Sequence, residues 1–135
     1  MSEKREIVES FQTTYATVNL RNDGISEVLF IEEYELDVPQ IKEIQAAIMK
    51  IGEKHPLFIL VIPGQFGDMT KEAREAPMFE SNNTKSIAIV TKYIHQRILG
   101  NLYFKFKKAQ FSNYKMFRNK ELATAWLNEE MAKEN

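Results

Sequence analysis

The sequence contains no cysteine and only two histidines among its 135 residues. The lack of cysteine excludes a disulfide scaffold, a thiol nucleophile and a cysteine-ligated zinc site. The histidines, His55 and His95, are far apart in the chain, so a histidine-rich metal cluster is not expected. We therefore expect neither a metal nor a cofactor.

Long apolar runs are also absent. The longest is Leu57 to Pro63, far short of the roughly 20 residues that a membrane helix needs. The charged first residues lead into no apolar run of signal-peptide length, so we expect a cytoplasmic protein without a membrane span. The length and the 44% apolar content fit a single globular domain. We expect an N-terminal arm or short helix over residues 1–12 and a domain over residues 13–132.

Acidic residues are missing from one part of the chain. Residues 85–120 hold nine Lys or Arg and no Asp or Glu, whereas residues 1–84 hold eight and fifteen. Aromatic residues interleave with these cations, a mixture that could bind a lipid headgroup, an acidic partner or, less favourably, nucleic acid. The alternative is that the cations are solvated, or face the acidic segment within the fold or across a homodimer. The candidate anion-binding residues are Lys105, Lys107, Lys108, Lys115 and Arg118.

The first half of the chain shows clear secondary-structure patterns. Residues 15–20 alternate as a strand does, and Asp23-Gly24 predicts a hairpin turn to a second strand over residues 25–31. Asp37 is a suitable N-cap for an amphipathic helix that ends near Gly52. The unbroken apolar run Leu57–Ile62 predicts a central strand that is buried on both faces.

The second half alternates short strands and helices. We expect a loop over residues 63–67 and a helix that Thr70 caps and Pro77 shortens. A strand over residues 86–90, a helix over residues 93–106, a strand over residues 114–117 and a helix capped by Asn119 follow. The order β-β-α-β-α-β-α-β-α predicts one α/β domain with a mixed, mostly parallel, five-stranded sheet.

Local patterns within this order resemble the SpoIIAA-like group, which contains STAS domains and the small bacterial STAS/SEC14 proteins. The resemblance is closest to the latter and covers about residues 14–130. The segments that carry it are Leu20-Arg21-Asn22-Asp23-Gly24, Lys71-Glu72-Ala73-Arg74, Ser86-Ile87-Ala88-Ile89-Val90, Ile98-Leu99-Gly100-Asn101 and Phe117-Arg118-Asn119-Lys120-Glu121-Leu122-Ala123-Thr124-Ala125-Trp126-Leu127.

The resemblance implies a βα superhelix that serves regulation or ligand binding and carries no catalytic signature. In phospho-switch STAS proteins, an Asp-Ser-Ser-Gly-like motif opens the helix after the central strand. The corresponding stretch here, Asp68-Met69-Thr70-Lys71, lacks the serine pair and the glycine. Thr70 is therefore either a phosphate-accepting hydroxyl or an ordinary helix cap.

A candidate binding site follows from the fold rule that ligands of open parallel sheets bind beyond the carboxyl ends of the strands. Polar and aromatic residues follow the predicted strands there, including Glu32, Glu33, Tyr34, Gln65 and Phe66. The alternative is that these loops are polar because they are solvated. The residues predicted to bind a ligand or partner at this edge are Asp68, Thr70, Arg74, Thr91, Tyr93 and His95.

Three functions remain open from the sequence. The favoured one is a non-enzymatic regulatory or ligand-binding module that acts through a protein partner or a small ligand. The second is binding to an anionic surface through the basic segment. The third is a small hydrolase or transferase with His95 as general base, although no Ser or Asp stands at a motif spacing from it. The phosphate-loop and dinucleotide fingerprints are absent from the sequence.

Overall fold

The structure, a computed structural model, describes residues 6–107 and 113–134, with the side chains of residues 106 and 107 left out. These residues form a single α/β domain. The strands are β1 (Ile7–Gln12), β2 (Ala16–Arg21), β3 (Ile25–Phe30), β4 (Glu33–Leu36), β5 (Leu57–Ile62), β6 (Phe66–Met69), β7 (Thr84–Val90) and β8 (Tyr114–Phe117). The helices are α1 (Val38–Gly52), α2 (Lys71–Glu75), α3 (Ile94–Lys107) and α4 (Lys120–Lys133).

The main sheet has the strand order β1-β2-β3-β5-β7-β8. Strands β1, β2 and β3 pair antiparallel, and β3, β5, β7 and β8 pair parallel. The run Leu57–Ile62 forms β5 between β3 and β7, which confirms the prediction of a central strand. It contains no polar residue because α1 packs against one of its faces and α4 against the other.

The prediction of five strands is wrong, because the main sheet has six. The additional strand is β1, which occupies part of the segment expected to be an arm or short helix. It pairs antiparallel with β2 at the edge of the sheet, where Ile7 is 47% exposed and Val8 is 59% exposed. An edge strand with little burial lacks the inside–outside alternation that identifies a strand in a sequence.

The helices lie on both faces of the sheet. Helices α1, α2 and α3 contribute to the larger apolar cluster, together with the inward residues of β2, β5 and β7. Helix α4 covers the opposite face, where Ala123 and Leu127 pack against Phe58 and Leu60. This helix lies over β5, β7 and β8.

Farther along the α4 side of the sheet, β2 and β3 carry polar residues. Asn19, Arg21 and Glu27 lie there and are only 7%, 2% and 6% exposed. The Arg21 guanidinium lies 3.6 Å from the Glu27 carboxylate, and the Asn19 amide donates to the same carboxylate at 3.2 Å. At the antiparallel end of the sheet, this face therefore carries a buried polar cluster instead of apolar side chains.

Helix boundaries follow the predicted capping residues. Asp37 accepts a hydrogen bond from the backbone N–H of Val38, and the Gln40 side chain accepts from the backbone N–H of Asp37. Asn119 caps α4 by accepting from Leu122 N–H at 2.9 Å. Helix α2 ends at Glu75 because Pro77 cannot continue it.

Candidate functional site

A second, two-stranded sheet lies at the carboxyl edge of the main sheet. Its strands β4 and β6 pair in parallel, with Glu33 opposite Phe66 and Glu35 opposite Asp68. Because side chains alternate along a strand, these four residues point to solvent, and the residues between them point inward. The inward residues are Tyr34, Leu36, Gly67 and Met69.

The inward residues of this sheet form the roof of a cavity of about 70 Å³. Its other walls come from the last residues of β3, β5 and β7, and from α3 and the segment before β7. The lining is mostly apolar and consists of Phe30, Tyr34, Leu36, Val61, Pro63, Gly64, Gly67, Met69, Met78, Phe79, Ile89, Gln96, Leu99, Gly100, Tyr103 and Phe104. The cavity therefore lies where the fold rule for parallel sheets places a ligand.

The Tyr34 ring is the centre of the roof. It stacks on Phe30 with ring centroids 4.8 Å apart and on Tyr15 at 6.1 Å. A Cβ atom at residue 67 would lie 2.2 Å from the Cζ of Tyr34, so only glycine allows this ring to cross the neighbouring strand. Gly64 is equally constrained, because a Cβ there would lie 2.0 Å from the carbonyl oxygen of Ile31.

The first turn of α3 is hydrogen-bonded to the loop that leads into β6. Gln96 is 8% exposed, and its amide donates to the Gly64 carbonyl at 2.9 Å. The amide oxygen of Gln96 accepts from the backbone N–H of Tyr93 at 3.0 Å. Nε2 of His95 contacts the Gln65 carbonyl, which can only accept, so this nitrogen carries the proton. One glutamine thus positions both the helix and the loop.

The phenols of the cavity are held in their neutral form. Burial raises the pKa of Tyr34 to about 12, although a backbone hydrogen bond from Gly64 lowers it and the charge of Asp68 raises it slightly. Burial also raises the pKa of Tyr103 well above its ordinary value, and the charge of Glu80 adds to this effect. Neutral phenols among apolar walls suit an uncharged ligand better than an anion.

Two of the predicted site residues face solvent beside the cavity. Asp68 and His95 line a shallow surface groove between β6 and α3, which we call the β6–α3 groove. Its other lining residues are Phe66, Gly67, Ile98, Leu99 and Leu102. Because Gly67 and Leu99 also line the cavity, the groove lies directly outside it.

The predicted residues Thr70 and Arg74 make local contacts at α2. The Thr70 hydroxyl accepts from Ala73 N–H at 3.1 Å and donates to the Asp37 carboxylate at 3.0 Å. Arg74 donates to the carbonyl of Met69 at 3.4 Å. These contacts connect α2 to the ends of β4 and β6, and neither residue lines the cavity.

The remaining predicted residues, Thr91 and Tyr93, connect β7 to α3. Thr91 is 2% exposed, and its N–H donates to the Phe117 carbonyl at 2.7 Å. The Tyr93 ring stacks on His95 with centroids 5.8 Å apart, and the Lys92 ammonium lies 5.6 Å from the Tyr93 centroid. These residues shape the start of α3 and lie outside the cavity lining.

Sequence reasoning missed most residues that line the cavity, including Met69, Met78, Gln96 and Tyr103. One signal was available. The stretch Glu33-Tyr34-Glu35-Leu36 alternates polar and apolar residues, as expected for a strand with one buried face. No comparable signal marks β6, where Gly67 replaces an inward apolar side chain.

The cations predicted to bind anions do not share one surface. Lys105 is exposed on α3, whereas Lys115 on β8 points to the α4 side of the sheet and lies 5.7 Å from the Phe117 ring centroid. Arg118 is exposed just after β8. Lys107 belongs to α3, but its side chain, like the whole of Lys108, lies outside the described residues. The sheet therefore separates Lys105 from Lys115.

The described residues contain neither a cluster of metal-ligating side chains nor a membrane-spanning helix. In residues 6–107 and 113–134, no group of three or more histidine or carboxylate side chains could hold a metal ion. No helix in these ranges is long and apolar enough to cross a bilayer.

Comparison with known proteins identifies the family of the chain. No curated protein and no solved structure matches it. One family model, described as a domain of unknown function (DUF7793), matches residues 18–131. The match begins within β2 and ends within α4, so it includes β4, β6 and the cavity beneath them. The chain therefore belongs to the DUF7793 family.

Proposed function

We propose that this chain is a non-enzymatic module that binds a small, uncharged, mostly apolar ligand in the cavity beneath β4 and β6. The observation that carries the proposal is an apolar cavity at the carboxyl edge of the parallel strands, roofed by a separate two-stranded sheet. Such a position and lining are typical of small-molecule sites. No described side chain of the cavity pairs a nucleophile with a base, so the arrangement favours binding over catalysis.

The cavity volume limits the ligand. An engineered apolar cavity of about 150 Å³ holds benzene, and the cavity here has about 70 Å³. A short branched aliphatic group fits this space as it stands. A larger ligand would have to move the roof, which is held by the hydrogen bond from Gln96 to Gly64 and by the stacking of Tyr34 on Phe30.

This proposal agrees with the earlier resemblance to the SpoIIAA-like group, and we also propose that relationship. It is supported by the hairpin β2–β3 followed by parallel strands with intervening helices. A regulatory role in the cytoplasm would follow if ligand occupancy changed the outer face of β4 and β6.

The alternative, binding of an anionic surface, would depend on Lys105 and other cations of α3, because Lys115 and Arg118 lie near β8 on another part of the surface.

The test is an NMR titration with short branched aliphatic alcohols as probes. We expect saturable chemical-shift changes centred on Tyr34, Met69 and Gly100. The variant Val61→Leu adds a methylene group to the cavity and should weaken probe binding about tenfold. The matched control Val90→Leu makes the same change on the α4 side of the sheet and should leave binding unchanged. Shifts that do not saturate, or that Val61→Leu leaves unaltered, would contradict the proposal.

A further inference from the structure

The outer face of α3 exposes an apolar stripe. Ile94, Ile98 and Leu102 recur at steps of four and are 78%, 57% and 42% exposed. Phe66, on the far side of the β6–α3 groove, is 57% exposed. Isolated apolar side chains are normal on a protein surface, but a contiguous apolar patch of this kind marks an interaction site.

The charges on the two sides of this stripe have opposite signs. On the α3 side, Arg97 is exposed on the flank of the helix that turns away from β6, and Lys105 is exposed on the last turn, in line with the stripe beyond Leu102. On the other side, Glu33 and Glu35 point outward from β4, next to Phe66 and Asp68 on β6. The surface therefore runs from an acidic wall (Glu33, Glu35, Asp68) across the apolar stripe to the exposed cations of α3 (Arg97, Lys105), which we call the basic wall.

Such an arrangement is complementary to itself. A two-fold axis through the stripe would place the acidic wall of one copy against the basic wall of the other, twice in each dimer. The same rotation would stack the apolar stripes on each other at the centre. A two-fold interface needs a surface of this kind, with an apolar core and a charged rim.

From this charge pattern, we propose that the face formed by α3, β4 and β6 is the homodimer interface of this protein. An anionic bilayer is a poorer occupant, because Glu33, Glu35 and Asp68 would lie against its negative charge. An acidic helix of another protein would be attracted to the basic wall but repelled by the acidic wall. A second copy of this chain presents an opposite charge to both walls.

The first test measures the oligomeric state by sedimentation velocity over a range of protein concentrations. We expect a reversible dimer whose dissociation constant rises with salt, because rim charges contribute to its stability. Ile98→Glu places a charge at the centre of the stripe and should raise the dissociation constant at least about 100-fold. Met49→Glu, at an exposed apolar residue of α1, is the matched control and should leave the dimer unchanged.

A charge-reversal experiment tests the symmetry itself. The double variant Arg97→Glu with Lys105→Glu has two acidic walls, and the double variant Glu33→Lys with Glu35→Lys has two basic walls. Each alone should be monomeric at concentrations where the unaltered protein is dimeric. An equimolar mixture should form a heterodimer, because both contacts are then favourable.

Several outcomes would overturn the proposal. One is an unaltered protein that stays monomeric at all concentrations, and another is a dimer that Ile98→Glu does not weaken. Failure of the two charge-reversed variants to associate would exclude the two-fold arrangement. Flotation of the unaltered monomer with anionic vesicles, lost in Ile98→Glu, would assign the stripe to a membrane instead. Circular dichroism of every variant shows whether the fold is retained.

Discussion

The Tyr34 ring occupies the space that a side chain at residue 67 would need. The two residues are direct neighbours in the β4–β6 register, and a Cβ at residue 67 would lie 2.3 Å from the Tyr34 hydroxyl oxygen. The roof of the cavity thus depends on a large side chain, Tyr34, on β4 and on a glycine, Gly67, at the paired position of β6. A stacked aromatic ring fills the space in between.

This relationship predicts the effect of Gly67→Ala. The added methyl group cannot coexist with the Tyr34 ring in its present place, so we expect the free energy of unfolding to fall by about 2–3 kcal/mol. In a Tyr34→Ala background the same change should cost far less, because the obstructing ring is gone. Denaturant unfolding of the four proteins measures this coupling. Equal costs in both backgrounds would contradict the packing described here.

Gly100→Ala is the matched control for that experiment. Its Cβ would meet the end of the flexible Met116 side chain at 3.0 Å, which can shift at little cost. Because alanine is a better helix former than glycine, we expect the substitution to be neutral or to stabilise the protein by up to about 1 kcal/mol. A loss as large as that of Gly67→Ala would show that the cavity wall at α3 is tighter than the distances indicate.

The raised pKa of Tyr34 predicts a loss of stability in alkali. In the unfolded chain a tyrosine ionises near its ordinary pKa of 10.0, whereas the folded pKa is about 12. The folded state therefore keeps a proton that the unfolded state loses. This contribution to stability is complete below pH 10 and disappears as the pH rises to about 12.

Tyr34→Phe removes that contribution and leaves Tyr103 in place. Between pH 10 and 12, the free energy of unfolding of the unaltered protein should fall by about 2 kcal/mol more than that of the variant. Urea unfolding at a series of pH values measures the difference. Parallel curves for the two proteins would mean that Tyr34 ionises normally in the folded state.

Gln96→Ala should loosen the attachment of the roof. The substitution leaves the Gly64 carbonyl and the Tyr93 N–H without their partner, which should cost about 1–3 kcal/mol. Hydrogen exchange should accelerate most at the backbone amides of β6. Asn101→Ala, at an exposed residue of the same helix, is the control and should change neither quantity. Unchanged exchange in β6 would contradict this role of Gln96.

Glu27→Ala should destabilise the antiparallel end of the sheet. It removes the carboxylate that lies 3.6 Å from Arg21 and accepts from Asn19, and the buried guanidinium keeps Asp23 as its remaining carboxylate partner. Because that ion pair persists, we expect a loss of about 2 kcal/mol, as is typical when a buried hydrogen-bonding group loses its partner. Thermal and denaturant unfolding measure it, with the exposed Glu121→Ala as control. A loss below that of the control would show that the cluster is not a stabilising one.

Some parts of the fold followed from local sequence alone. The apolar spacing of α1 and the capping residue Asp37 predicted a helix that the structure confirms as Val38–Gly52. The run Leu57–Ile62 predicted the central strand for a similarly local reason, since only a strand covered on both faces needs six apolar residues in succession. Such patterns are readable because the element itself sets the burial of each residue, which is periodic along α1 and nearly uniform along β5.

The tertiary structure determined which residues line the candidate site. The sequence predicted a crevice of polar and aromatic residues at the carboxyl edge, and the structure places a mostly apolar cavity there. Its roof exists only because β4 pairs with β6, two short strands that are far apart in the chain. The acidic and basic walls likewise become neighbours only when β4 and α3 flank the same groove. Short strands gain their stability from partners that local sequence does not specify, so the pairing and the surface built on it required the folded chain.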